Sequence, residues 1–397
     1  MKTDFYTYQA QTSPHPLAME VSHAEGSYIY NTNNKAFLDF VAGVSACTLG
    51  HKHPKVIAAI KTQLDKYLHV MVYGEYIQES AVALTKLLAE HLPESLQNTY
   101  LTNSGTEAVE GALKLAKRAT GRSEIISAHH AYHGNTMGSL SVMGFEERKK
   151  AFRPLVPDVR FIAYNNEADI QNITTKTAGV ILETIQGGAG FIEPKNGYLE
   201  KVKKRCQEVG TLLILDEIQP GIGRTGKLFA FEHYNCIPDI LVTGKGLGGG
   251  MPIGAFTAST DLMKLLQANP KLGHITTFGG HPVIAAAAHA TLLEVVSSNL
   301  MEATLEKEAL IKKHLKHPLI TEIRGRGLML AALTPSADIT NQVVLKAQEA
   351  GLILFWLLFE TKAIRITPPL TISNEEIMKG CQIITTILDD IQRNQAG

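Results

Sequence analysis

The 397-residue chain predicts an α/β fold: a mostly parallel, seven-stranded sheet with helices on both faces, joined to a smaller α+β unit. Three observations carry this. Short apolar runs recur from about Thr99 to Ala258, bounded by Gly, Pro or polar residues, with helical stretches between several of them. Two of these runs end in reactive side chains, Leu212–Asp216 in Asp216-Glu-Ile-Gln219 and Ile240–Thr243 in Gly-Lys245-Gly. Beyond an Ala-rich helix that starts at Pro282, the pattern changes to a short alternation of helix and strand. The expected division is 1–49 as a segment packing on the small unit, 50–290 as the large unit and 291–397 as the small one.

Composition narrows the function. Hydrophobic content of 45% and charged content of 19% describe a soluble globular chain. Lys+Arg and Asp+Glu are both 38, so no nucleic-acid or membrane partner is expected. Cys47, Cys206, Cys236 and Cys381 lack CxxC spacing, and the first residues lack the apolar run of a signal peptide. The greasiest run, Gly351 to Phe359, is too short to cross a bilayer. A cytoplasmic location is expected.

In order, residues 1–30 read as polar and irregular. Tyr28–Tyr30 and Phe37–Phe40 read as a hairpin. Gly43–Pro54 is a Gly/His-rich loop, and His51 and His53 have no carboxylate or thiol partner nearby in sequence, so metal binding is not expected. A helix from Pro54 would place Val56, Ile57, Ile60 and Leu64 on one face, and another spans about Glu79 to His91. Strands are expected at 99–102, 124–127, 159–163, 179–183, 212–216, 240–243 and 254–258. The small unit reads as helix 300–315, strand 323–333, helix 341–350, strand 363–367 and a last helix from about 374 to 392.

Asp216 and Lys245 fall at carboxyl ends of expected parallel strands, where open α/β sheets bind ligands. A partly buried carboxylate needs a cationic partner, and a partly buried lysine loses basicity. An acid for a pyridinium nitrogen and a lysine for a Schiff base are what pyridoxal phosphate (PLP) chemistry requires. A buried ion pair is the plainer alternative. Asn103-Ser104-Gly105-Thr106 opens a helix to Thr120 with Gly121 as its stop, so its backbone N–H groups suit a phosphate or a simple N-cap. Tyr132 in Ala131-Tyr132-His133-Gly134-Asn135 suits a flat ring or ordinary packing. His129, His130 and His133 lack the HExxH spacing of a zinc helix, and no metal is expected. Gly221-Ile-Gly223-Arg-Thr-Gly226 matches GxGxxG, but no strand runs directly into it and Asp239 precedes its strand, which argues against a nicotinamide site. Thr276 and Thr277 offer hydroxyls in a small-residue loop. Arg365, between apolar neighbours, suits a carboxylate or a structural salt bridge.

The ordered set NSGTEA, YHG, IQG, DEIQ-G-GRTG, TGKG and TFGG, from Gly50 to Leu370, resembles the class III aminotransferases, the fold-type-I PLP enzymes of the ornithine, acetylornithine and 4-aminobutyrate group. The resemblance implies a PLP aminotransferase that passes an amino group from an amino acid or ω-amine to a 2-oxo acid such as 2-oxoglutarate. A same-fold aminomutase or decarboxylase is the alternative. It implies that Lys245 holds PLP as a Schiff base and moves a proton, Asp216 faces the ring nitrogen, Gln219 meets the ring hydroxyl and Tyr132 stacks. Ser104, Gly105, Thr106, His133 and Glu183 join the cofactor set, with Thr277 supplied by a second subunit, hence a homodimer. Arg365 takes a substrate carboxylate. Two positions depart from the pattern: Asn135 stands where many members have Arg, and Gly188 where a masking Glu is common. Thr184 replaces a common Pro.

Overall fold

A computed structural model describes residues 1–396. Strands β1 (Val21–Glu25), β2 (Tyr28–Asn31) and β3 (Ala36–Asp39) form an antiparallel meander. The next seven are β4 (Asn98–Thr102), β5 (Glu124–Ala128), β6 (Val159–Ile162), β7 (Thr177–Glu183), β8 (Leu212–Asp216), β9 (Ile240–Gly244) and β10 (Gly254–Ala258). They build one sheet in the order β4-β10-β9-β8-β7-β5-β6. All pairs from β9 to β6 are parallel; β10 runs against both of its neighbours.

The strands read as unbroken apolar runs because both faces are covered. Along β8, Leu213 and Leu215 enter one core with Leu199, Val202 and Leu292, while Ile214 enters the opposite core with Leu115, Ala116 and Ile181. That alternation is the two-residue period of a strand. The helix Gly105–Thr120 covers the second face, starting at Ser104, whose Oγ accepts from the Glu107 N–H, and stopping at Gly121 with φ 67°. The Ala-rich helix spans Pro282–Ser297, across residue 290, and packs on helices Pro54–Lys66 and Glu79–Glu90.

A second sheet holds β11 (Glu322–Arg326), β12 (Met329–Leu333), β14 (Phe355–Trp356) and β15 (Ala363–Ile366), in the order β11-β12-β15-β14. The two-residue β13 (Leu352–Ile353) pairs in parallel with β3. Leu38 and Phe40 share one apolar core with Leu330, Ile366 and Ile384.

Four local expectations change. The stretch 323–333 is a hairpin, because Gly325 and Gly327 take φ of 96° and 62° and the Leu328 N–H donates to the Arg224 carbonyl. Residues 1–30 contain a helix, Lys2–Tyr8, with no buried residue, and also β1 and most of β2. In the helix Pro54–Lys66 it is Gln63 that is buried, while Leu64 is exposed. His51 has a carboxylate partner after all: chain reversal through β3 brings Asp39 Oδ2 to 2.8 Å from its Nε2. That bond, reinforced by Cys47, raises the imidazole to about 10. No single helix among the described residues is long and apolar enough to cross a membrane.

Candidate active site

The carboxyl ends of β5, β7, β8 and β9 bring the reactive side chains together. Glu183 ends β7 and Asp216 ends β8, paired in register. Lys245 follows the last residue of β9, and His133 lies five residues past β5. Asp216 is 3% exposed. Its Oδ2 lies 2.7 Å from His133 Nδ1, and its Oδ1 accepts from the Ile218 N–H at 3.0 Å. The same His133 buries Nε2 without a partner among the described residues.

Lys245 adopts φ 38°, a left-handed conformation that costs about 1–3 kcal/mol outside glycine. Burial lowers its ammonium pKa; Asp216 opposes the shift, Arg365 adds to it and Glu183 opposes it. The net fall makes a neutral, nucleophilic amine accessible, as Schiff-base chemistry requires.

Glu183 clamps the site's loops. Its Oε1 accepts from the Tyr132 N–H at 2.9 Å and its Oε2 from the Gly187 N–H at 2.7 Å. Burial nevertheless raises this carboxyl to about 7, with His133 opposing and Asp216 adding to the rise. Tyr132 is half-buried, and its hydroxyl accepts from Asn135 Nδ2 at 3.0 Å. Gln219 donates from Nε2 to Ser45 Oγ at 3.4 Å.

The start of the helix Gly105–Thr120 closes one side. Gly105 packs so tightly that a Cβ there would stand 2.7 Å from Ile218 Cδ1. Thr106 Oγ1 lies 2.8 Å from Thr136 Oγ1 and 2.6 Å from Ser139 Oγ. Gly134 must be glycine, since a side chain would run into the Thr106 hydroxyl. Three hydroxyls therefore converge beside a helix N-terminus, the arrangement that binds phosphate oxygens. Sequence reading missed Thr136, Ser139 and Ser45. Their signal was the small polar residues directly after Asn135 and inside Gly43–Pro54. Glu110 was missed as well; its Oε1 accepts from the Gly138 and Ser139 N–H groups and fixes that turn.

Arg365 comes from β15 of the other sheet. It is 5% exposed, and its Nη1 has no partner among the described residues. Nε reaches only the Trp356 carbonyl, at 3.5 Å, and the guanidinium lies 5.7 Å from the Phe191 ring centroid. Burial alone lowers it to about 10. Thr277 is the outlier: it is exposed, apart from the cluster, on the loop before Pro282. The GxGxxG stretch Gly221–Gly226 lies beyond Glu217–Pro220, not at the end of β8, and buries Arg224, which donates to the Leu328 and Pro368 carbonyls.

The orphaned polar atoms, the strained lysine and the hydroxyl cradle fit PLP. A lysine and an aspartate on neighbouring parallel strands, under this sheet order, define a fold-type-I PLP transferase.

Comparison with known proteins agrees. The sequence profile described as Aminotransferase class-III matches residues 8–388. The chain is 37% identical over 380 residues to an acetylornithine aminotransferase of Caldanaerobacter subterraneus subsp. tengcongensis, covering 93% of this chain and 94% of that one. It is 39% identical to a putrescine aminotransferase of Pectobacterium atrosepticum, covering 88% and 77%. An ornithine aminotransferase structure from Toxoplasma gondii, with PLP at partial occupancy in its active site, superposes with a TM-score of 0.91 at 29% identity, covering 100% and 96%. The chain belongs to the class III aminotransferases and is a PLP-dependent transaminase.

Proposed function

We propose that this transaminase moves an amino group from an amino acid or ω-amine to 2-oxoglutarate, in the cytoplasm and within amino-acid metabolism. The observation that carries the acceptor is Arg365, a buried guanidinium whose Nη1 has no partner among the described residues and whose charge acts on Lys245. A buried cation without a carboxylate is costly unless a substrate supplies one.

When bound, PLP supplies a conjugated ring that accepts the electron pair of the substrate Cα–H bond. Lys245 would hold it through Nζ and would carry the substrate proton at that same nitrogen. Asp216 would hold a proton at the ring nitrogen, and His133 positions Asp216 through Nδ1. Gln219 would bind the ring hydroxyl, and Tyr132 would pack against the ring. Glu183 holds the Tyr132 and Gly187 backbones around it. Ser104, Gly105 and Thr106 receive the phosphate, together with Thr277 of the partner subunit.

The homodimer rests on an apolar surface. Leu68, Met71, Tyr76, Ile77, Leu272, Ile275 and Phe278 are all exposed, Ile77 at 95%. Patches of this kind mark interfaces.

A donor panel of putrescine, ornithine, N-acetylornithine, 4-aminobutyrate and glutamate, each with 2-oxoglutarate, tests the reading. Arg365→Ala is run beside it. Undiminished 2-oxoglutarate turnover by that variant refutes the carboxylate assignment. Sedimentation of the holoprotein as a monomer refutes the dimer.

A further inference from the structure

The site shows one guanidinium for one carboxylate, whereas 2-oxoglutarate has two. Asn135, exposed and bonded to the Tyr132 hydroxyl, has no charge to offer the other. A second guanidinium nevertheless stands on the same side. Arg148 is exposed; its Nη2 donates to the Leu358 carbonyl at 3.3 Å, and its Cζ lies 5.7 Å from the Phe359 ring centroid. Its charge reaches Tyr132, where it is the largest influence opposing the rise that burial imposes on the phenol.

Three features make this cation different from the surface arginines around it. First, it has no carboxylate. Arg153 takes Glu146, Arg324 takes Glu322 and Glu360, and Arg326 takes Glu193. Among the described residues Arg148 makes no ion pair, only the carbonyl bond and the aromatic contact.

Second, its support is built. Phe359 fills the space next to Gly188, where a Cβ would approach the Phe359 ring to 2.8 Å. The Phe359 N–H donates to the Gly188 carbonyl at 2.9 Å, and Phe145 stacks on the Phe359 ring at 4.7 Å. The absent side chain at 188 is thus what lets the aromatic platform under Arg148 form.

Third, the two guanidinia hang from one short segment. Arg365 Nε reaches the Trp356 carbonyl and Arg148 Nη2 the Leu358 carbonyl. Residues two apart are separated by at most about 7 Å of chain. The carboxyl carbons of an extended five-carbon diacid are about 5 Å apart, from four C–C bonds of ~1.5 Å. Both carbonyl bonds are long, so a carboxylate displaces them at little loss.

We propose that Arg148 is the second carboxylate-binding cation of this site and sets its preference for a dicarboxylic over a monocarboxylic 2-oxo acid. The proposal rests on 2-oxoglutarate as acceptor and on Arg365 as its first anchor. Arg148 acts on binding and leaves the chemical step unchanged.

The test uses PLP-loaded wild type, Arg148→Ala and Arg148→Lys. KM and kcat are measured for 2-oxoglutarate and pyruvate with one common donor. Dissociation constants of the unreactive acids glutarate and butyrate are read from the cofactor absorbance. Arg148→Ala is expected to raise the 2-oxoglutarate KM about tenfold, the low end for a charged hydrogen bond, with kcat and the pyruvate KM within about twofold. Glutarate binding weakens in parallel, butyrate binding does not, and Arg148→Lys recovers part of both losses. Equal effects on the two 2-oxo acids, or none, overturn the proposal. So does wild type that binds glutarate no tighter than butyrate. Wild type that turns over pyruvate but no 2-oxoglutarate refutes the proposed acceptor, while the glutarate arm still decides on Arg148.

Discussion

The two ends of the seven-stranded sheet handle buried charge in opposite ways. At the amino end the partly buried Asp239 and Arg122 are both answered. Asp239 receives Lys203 Nζ at 2.7 Å and the Leu213 N–H at 2.8 Å. Arg122 Nη1 donates to the carbonyls of Thr177, Val209 and Gly210. At the carboxyl end burial outweighs the partners: Lys245 is strained and lowered in pKa, His133 Nε2 has no partner among the described residues, and Glu183 is raised to about 7 despite two backbone N–H donors. An answered charge stabilises the fold, whereas an open one stores cost for a ligand to relieve.

Mutations at the two ends should therefore separate activity from stability. The largest effect is expected at Lys245. Lys245→Ala should cut transamination by ~10⁴-fold or more, the scale of a lost acid–base group, with little loss of stability. Because φ 38° strains any side chain, a glycine there should even stabilise the apoprotein, read as a higher melting temperature. Next comes Asp216→Ala. It removes the carboxylate that holds His133, and a fall of about 10²–10³-fold in kcat is expected, with weaker retention of the cofactor on dialysis.

Asp239→Ala tests the opposite end. It strands Lys203 and the Leu213 N–H, and should cost about 1–3 kcal/mol in urea unfolding while specific activity per folded molecule stays unchanged. Activity lost in proportion to that of Asp216→Ala would erase the contrast between the ends.

The smallest effect is a pH slope. Burial raises the Glu183 carboxyl from an ordinary 4.5 to about 7, so the folded apoprotein binds its proton more tightly than the unfolded chain. Its contribution to stability is complete below pH 4.5 and is lost as pH rises through 7. Glu217, raised to about 7 by burial against three hydrogen bonds, slopes the same way. Glu183→Gln should flatten the decline in urea midpoint between pH 5 and 7 without abolishing it, since Glu217 remains.

The same contrast explains what could be read in advance. The large sheet was legible because each strand is a short apolar run between breakers, and burial on both faces demands that pattern. Asp216 and Lys245 were legible because they end such runs. The hairpin within 322–333 was not, since its first strand, Glu322–Arg326, carries Ile323 as its one apolar side chain and only Gly325 and Gly327 mark the reversal. Helix Lys2–Tyr8 buries nothing and so has no apolar stripe to reveal it. The Asp39–His51 pair and the Thr106–Thr136–Ser139 cluster join residues 12 to 33 positions apart. Nothing local couples them.

The sequence by itself determined the strands of the large sheet, the helix caps at Ser104 and Gly121, and the placing of an acid and a lysine at strand ends. These follow from propensity and hydrophobic period, which act over a few residues. Only the tertiary structure decided that Arg365, 120 positions beyond Lys245 in a different sheet, shares its electrostatic environment. It likewise decided that Arg148 lies over Phe359 with no carboxylate partner among the described residues. Burial and Coulomb interactions depend on distance through space, and the packing of the two sheets sets that distance.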